Sequence, residues 1–260
     1  MTETVSGPES GRATSGQRVL IVGATSAIAT ALARRYASQG ARLLLWGRRA
    51  EALQAAAADL RVRGAAEVLV DLYDASSMAP PSALVQRAWT QWQGLDVVLL
   101  AHGVLPDQAA AEASAETALH SFDINARSVI ALLTEMAPLF EAQRAGVIGI
   151  ISSPAAERGR ASNYVYGAAK AAVSTFASGL RHRLFSHGVR VVTILPGFVD
   201  TPMTAAFTKG PLWAQPERVA ADIEAALASR NGTLYTPWFW CWIMLIVRNL
   251  PQALFLRSKL

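Results

Sequence analysis

Cysteine is nearly absent: Cys241 is the single one among 260 residues. No intrachain disulfide can form, and no Cys/His spacing of a zinc site is present, so no metal is expected. A reducing compartment fits this, and the cytoplasm is the expected location. Charge is also sparse, at 17% of residues against 52% hydrophobic, which excludes a disordered polyelectrolyte and requires a sizeable core. The formal net charge of +5 comes from scattered basic residues, with no dense run and no aromatic–basic interleaving. That pattern reads as a solvated basic surface rather than a nucleic-acid interface, with attraction to anionic lipid left open. No apolar run reaches the ~20 residues of a membrane span. Residues 1–17, rich in Ser, Gly, Thr and Glu, lack the apolar core of a signal peptide and are expected to be a disordered lead-in.

What is present is alternation. Apolar runs at Arg18–Val22, Arg42–Trp46, Glu67–Val70, Val97–Ala101, Val147–Ile151, Val189–Leu195 and Thr233–Thr236 read as strands. Alanine-rich stretches between them read as helices: Ser26–Ser38, Ala50–Leu60, Ser82–Trp92, Glu116–Glu141, Asn163–Ser186 and Glu217–Ala228. The strands are apolar on both sides, as in a parallel α/β sheet with helices on both faces. One domain over 18–236 and a separate apolar tail over 237–260 are expected. In such a fold, ligands bind beyond the carboxyl ends of the strands, and the motifs fall there.

The first strand is followed by Gly23-Ala24-Thr25-Ser26-Ala27-Ile28-Ala29. A strand–turn–helix of this form offers backbone N–H groups and a helix N-terminus to a pyrophosphate. Ala27 and Ala29 stand where glycines are usual, and their methyl groups still let the backbone approach. The second strand ends in Gly47-Arg48-Arg49, with no acid to meet a free ribose 2′-hydroxyl. Two guanidinium groups suit a 2′-phosphate instead, which points to NADP(H). Asp71 closes the third strand as an acceptor for the adenine amino group, next to Leu72. Ala101-His102-Gly103 closes the fourth. His102 is read as stabilising that turn rather than as a base, and Gly103 as admitting the ribose.

Tyr166 and Lys170 lie four apart in an apolar helix, so they share one face. An ammonium beside a phenol favours the phenolate, which predicts a tyrosine that trades its proton nearer neutrality. Tyr164 points elsewhere and is read as pocket wall. Ser153, thirteen residues before Tyr166, is placed to bond a substrate carbonyl oxygen. A buried Asn125 needs partners and is placed to hold a water leading to Lys170. Pro196-Gly197-Phe198-Val199-Asp200-Thr201 follows the sixth strand and is placed over a nicotinamide, with Thr201 on its carboxamide.

In this order, from about Arg18 to Thr236, these motifs resemble the short-chain dehydrogenase/reductase family. The resemblance implies a Rossmann-type fold and carbonyl reduction by NADPH, with a dimeric or tetrameric assembly. Tyr166 would be the general acid, Lys170 would lower its pKa and bond the nicotinamide ribose, Ser153 would hold the carbonyl oxygen, and Asn125 would order a proton relay. Gly23, Thr25, Ser26, Ala27, Ile28, Arg48, Arg49, Asp71, Leu72, Ala101, His102, Gly103, Pro196, Gly197, Val199 and Thr201 would hold the cofactor with Tyr166 and Lys170. Soluble ketones, steroids and 3-oxoacyl chains remain alternative substrates, and a non-catalytic NADP-binding sensor is the alternative from another class.

The tail runs Pro237-Trp-Phe-Trp-Cys-Trp-Ile-Met-Leu-Ile-Val-Arg248, with Pro251 and the basic residues Arg257 and Lys259 beyond. Its ten-residue apolar run suits a membrane interface, here the inner face, or a helix that covers the pocket or another subunit. The tail, with the segment from Ala156 to Gly167, resembles a bacterial branch that includes the reductase acting on decaprenylphosphoryl keto-pentose. That resemblance implies a carbonyl on a sugar or similar head attached to a lipid.

Overall fold

In the computed structural model, residues 16–258 are described; the expected lead-in lies almost wholly outside them, as does Lys259. Each predicted strand forms, with its ends shifted by zero to two residues: β1 (Arg18–Val22), β2 (Arg42–Gly47), β3 (Glu67–Leu72), β4 (Val97–Leu100), β5 (Val147–Ile151), β6 (Arg190–Pro196) and β7 (Gly232–Thr236). They form one sheet in the order β3-β2-β1-β4-β5-β6-β7, every pair parallel. The period of two sorts each strand between two cores. Val19 and Ile21 face one core with Leu43 and Leu45; Leu20 and Val22 face the other with Leu44 and Trp46.

Helices α1 (Ala27–Ser38) and α2 (Ala50–Val62) cover the first face, joined later by α8 (Pro216–Ser229). The second face carries α3 (Ser82–Gln91), α6 (Ser128–Gln143) and α7 (Tyr164–Phe185). Between β4 and α6 lie α4 (Gln108–Ala113) and α5 (Ala115–Phe122), started by side-chain caps from Asp107 and Ser114. The sequence pattern did not signal α4. The single helix expected over Glu116–Glu141 is instead α5, a π turn at Asp123–Arg127 and then α6. The tail forms α9 (Trp240–Asn249) and α10 (Gln252–Phe255).

The chain order reverses between β1 and β4, so a crevice opens beyond their carboxyl ends. At the opposite edge the Arg18 guanidinium grips the Asp96 carboxylate with both oxygens, at 2.6 and 3.0 Å, tying β1 to the start of β4. At the crevice edge the tight turn at Gly23 has φ +79°, and a Cβ there would lie 2.6 Å from the His102 backbone nitrogen. Only glycine meets both demands without strain.

Candidate active site

A cavity of about 830 Å³ opens beyond the strand ends. Three successive residues at the end of β5 fix one wall of it. The Ile151 carbonyl accepts from Lys170 Nζ at 3.0 Å, the Ser152 hydroxyl donates to the Lys170 carbonyl at 3.0 Å, and Ser153 hydrogen-bonds Tyr166. Gly167 lets α7 come this close, since a Cβ there would stand 2.8 Å from the Ala155 carbonyl oxygen. Ser153 also accepts from the Ala155 N–H, starting a short 3-10 turn at Pro154–Ala156.

Lys170 is 2% exposed, and burial lowers its pKa from 10.5 to about 8. Its Nζ lies 5.8 Å from the Tyr166 ring centre. The expectation of a depressed phenol is reversed: burial pushes Tyr166 up to about 12, only partly offset by the bond to Ser153. The side chain therefore stands as a protonated phenol at neutral pH.

Asn125 sits inside the π turn, fully buried. Its Oδ1 accepts from Val104 N–H at 3.1 Å, and its Nδ2 donates to the carbonyls of Val104 and Ser121 at 2.8 and 3.0 Å. The amide thereby pins the segment leaving β4. Single π turns inside helices recur at functional sites, and this one sets the register that brings Asn125 to Val104. A Cβ at Gly103 would lie 2.7 Å from Asn125 Oδ1 and 3.4 Å from Lys170 Nζ. The need for glycine there comes from Asn125 and Lys170, where the sequence suggested only the approach of a ribose. His102 places Nε2 2.9 Å from the Ser128 hydroxyl and takes the Tyr73 ring edge-on. Burial first, then the Lys170 charge, lowers its pKa to about 3. A neutral imidazole so placed stabilises the turn.

Gly23, Thr25, Ser26, Ala27, Ile28, Arg48, Arg49, Ala101, His102 and Gly103 line one side of the cavity. Ser26 caps α1, so the positive end of that helix opens here. Pro196 at the end of β6 and Gly197, Val199 and Thr201 after it line the cavity with Ser153, Tyr166 and Lys170. Asp71 and Leu72 are the exceptions and stand outside the cavity lining. The third strand runs two residues beyond Val70, so Asp71 turns to Arg87 at 2.8 Å and Leu72 is 62% exposed. Tyr73 and Asp74 reach the wall in their place. Sequence reading also missed Arg160, Asn163, Met203, Phe207 and Trp240 in the wall. The aromatic tail was visible, but not its target. The Trp240 indole packs against Gly197, where a Cβ would come within 1.8 Å of Nε1, and meets Phe198 edge-on.

The cradle suits a dinucleotide: a turn closed to side chains, a helix N-terminus and two flanking guanidinium groups. Among the described residues no group of three or more His, Cys, Asp or Glu side chains stands ready for a metal ion.

The tail question also receives an answer in part. Trp240, Met244 and Val247 are buried against the protein. Trp238, Trp242 and Ile246, each four residues on, are 66%, 59% and 69% exposed. Among the described residues no helix is long and apolar enough to cross a membrane.

The Lys170 environment gives a pH signature. The unfolded chain binds this proton up to pH ~10.5 and the folded chain only to about 8. Folding therefore releases a proton in that window, and Lys170 makes stability rise with pH from 8 to 10.5. Melting temperatures of the parent and Lys170→Met, followed from pH 7 to 10, should shift in favour of the parent as pH rises. A pH-independent difference contradicts burial of the ammonium.

Residues 17–211 match the family model described as short chain dehydrogenase. An uncharacterized oxidoreductase of Mycobacterium tuberculosis strain H37Rv is 37% identical over 92% of this chain and 96% of its own. A 3-oxoacyl-[acyl-carrier-protein] reductase, FabG, of Chlamydia muridarum is 32% identical over 71% of this chain and 75% of its own. Among solved structures, an actinorhodin polyketide ketoreductase variant with NADPH superposes with a TM-score of 0.74 at 25% identity, covering 86% of this chain and 97% of that one. With the doubly wound sheet and the Ser153, Tyr166 and Lys170 cluster already in place, the chain belongs to the short chain dehydrogenase family of nicotinamide-dependent oxidoreductases.

Proposed function

We propose that the protein reduces a ketone to a secondary alcohol, reversibly, with NADP(H). The observation that carries this reading is the convergence of Ser153, Tyr166 and Lys170 on one wall of a cavity whose far end holds Arg48 and Arg49. The nicotinamide, when bound, supplies the hydride. Ser153 holds the carbonyl oxygen. Tyr166, kept as a phenol by burial, gives its proton to the alkoxide oxygen as charge develops there. Lys170, charged below pH ~8, stabilises the phenolate left behind and bonds the ribose. Asn125 keeps the β4 exit and the Lys170 pocket in register.

Arg48 and Arg49 favour the 2′-phosphate of NADP(H), and the NADPH-bound ketoreductase among the similar structures supports that choice. For the substrate, the exposed stripe of Trp238, Trp242 and Ile246 beside the Trp240 wall favours an amphiphile at a membrane surface, on the cytoplasmic side. A lipid-linked keto-sugar is such a molecule and matches the branch resemblance. The 3-oxoacyl-carrier reductase among the relatives supports a second reading, an acyl chain with a 3-oxo group. Assembly as a homodimer or homotetramer is carried over from the family.

Tyr166→Phe should keep the melting temperature and NADPH affinity and lose turnover ~10²- to 10⁴-fold. Retained turnover in the folded variant removes Tyr166 from the mechanism. If the parent binds NADPH but reduces no member of a ketone panel, the sensor reading takes over. Arg48→Ala should weaken NADPH ~10- to 100-fold, the worth of a charged hydrogen bond, and leave NADH unchanged. Equal loss for both cofactors contradicts the 2′-phosphate assignment.

A further inference from the structure

Between Ser153 and α7 the chain carries three charged side chains, Glu157, Arg158 and Arg160. Two of them serve the tail. Glu157 accepts from the Tyr235 hydroxyl at 2.5 Å and faces Arg248 at 3.4 Å. Arg158 donates to the Val247 and Leu250 carbonyls at 2.6 Å each, and its guanidinium lies 3.8 Å above the Phe255 ring. This latch fixes the end of α9, so the loop and the tail form one wall.

Arg160 differs. It lines the cavity with Ser153 and Tyr166, its Nε is buried without a partner, and no ion pair engages it among the described residues. Burial alone moves its pKa, downward, with no acid acting against it. Arg160 is partly buried, and a guanidinium nitrogen held away from water with neither partner nor counter-ion is costly. The two carboxylates in the cavity wall are engaged elsewhere: Asp74 accepts from Ser76, and Asp107 caps α4. Arg48 and Arg49 belong to the cofactor half. Four more buried polar atoms of lining residues lack partners: His102 Nδ1, Gln108 Oε1, the acceptor Asn163 Oδ1 and the donor Trp240 Nε1. Beside them the mouth is apolar, with Phe198 and Phe207 half exposed.

We propose that Arg160 anchors an anion subsite in the substrate half of the cavity, and that the ligand is an amphiphile whose head carries a phosphate or carboxylate and whose apolar part leaves across Phe198 and Phe207. The Trp240 N–H gives the head a second donor, and Asn163 Oδ1 accepts from a hydroxyl on it. This deepens the carbonyl-reductase reading, on which it rests for the ligand's fate but not for its binding.

The test uses the full chain saturated with NADPH and octyl phosphate as the probe, with binding read by calorimetry. Octyl phosphate should bind the parent ~10- to 100-fold more tightly than Arg160→Gln, the worth of a charged hydrogen bond, while octanol binds both alike. Inorganic phosphate should bind the parent far more weakly than octyl phosphate. In the parent, octyl phosphate should also protect Arg160 from phenylglyoxal, read by peptide mass spectrometry, which needs no variant. Equal octyl phosphate affinity in both proteins, or no protection, overturns the subsite. Inorganic phosphate as strong as octyl phosphate overturns the amphiphile. NADPH oxidation with the neutral ketone 2-decanone is followed separately: its absence in the parent counts against the reductase reading and leaves the binding result to decide Arg160.

Discussion

The arrangement depends on a single buried amine. Lys170 Nζ is taken out of water at the end of β5 and given the Ile151 carbonyl at 3.0 Å. A charge in that position is tolerated only where its donors are met and its surroundings are polar. Several local features follow from this demand. Gly103 has no side chain because Asn125 and Lys170 occupy the space beside it. Gly167 has none because α7 must press on the Ala155 carbonyl to deliver the amine. The π turn departs from helical register so that a fully buried amide can pin the chain leaving β4. Burial that lowers the Lys170 pKa raises that of Tyr166, leaving an amine closer to losing its proton and a phenol that keeps its own.

The second organising contact joins sequence-distant segments. Trp240 rests on Gly197, and Arg158 caps the far end of the same helix through two carbonyls. The tail is thereby part of the cavity on one face and an exposed aromatic stripe on the other. Trp238 and Trp242 face outward while Trp240 forms part of the cavity wall, so the cavity lies next to an exposed aromatic stripe. This adjacency makes an amphiphilic substrate chemically coherent with the loop charges.

Much of this was legible in the sequence, for local reasons. Central strands buried on both faces read as nearly unbroken apolar runs, as in β1, β4 and β5, whereas the edge strands β3 and β7 are partly exposed and mix polar residues in. The Tyr166 and Lys170 pair was readable because four residues make one helical turn, and Ser153 because a strand end preceded it. The π turn was invisible, since one extra residue per turn leaves an apolar helix looking continuous from Glu116 to Glu141. The end of β3 was read two residues short because the end of a strand is set by its neighbour: β3 follows β2 to the Gly47–Leu72 pair, which carries the turn to Tyr73 and Asp74. The direction of the Tyr166 shift was misjudged because spacing reports the nearby ammonium but not the depth of burial. Trp240 against Gly197 joins residues 43 apart, and no local pattern encodes that contact.

The most direct measurement is a pH titration of the free protein labelled with 13Cζ-tyrosine, with the Tyr166 signal assigned by its loss in Tyr166→Phe. Burial as the dominant influence predicts that this carbon keeps its phenol shift through pH 10 and ionises only at about 12. An ionisation near neutrality would show that Lys170 governs the phenol after all, and would contradict the account of a proton donor held ready by burial.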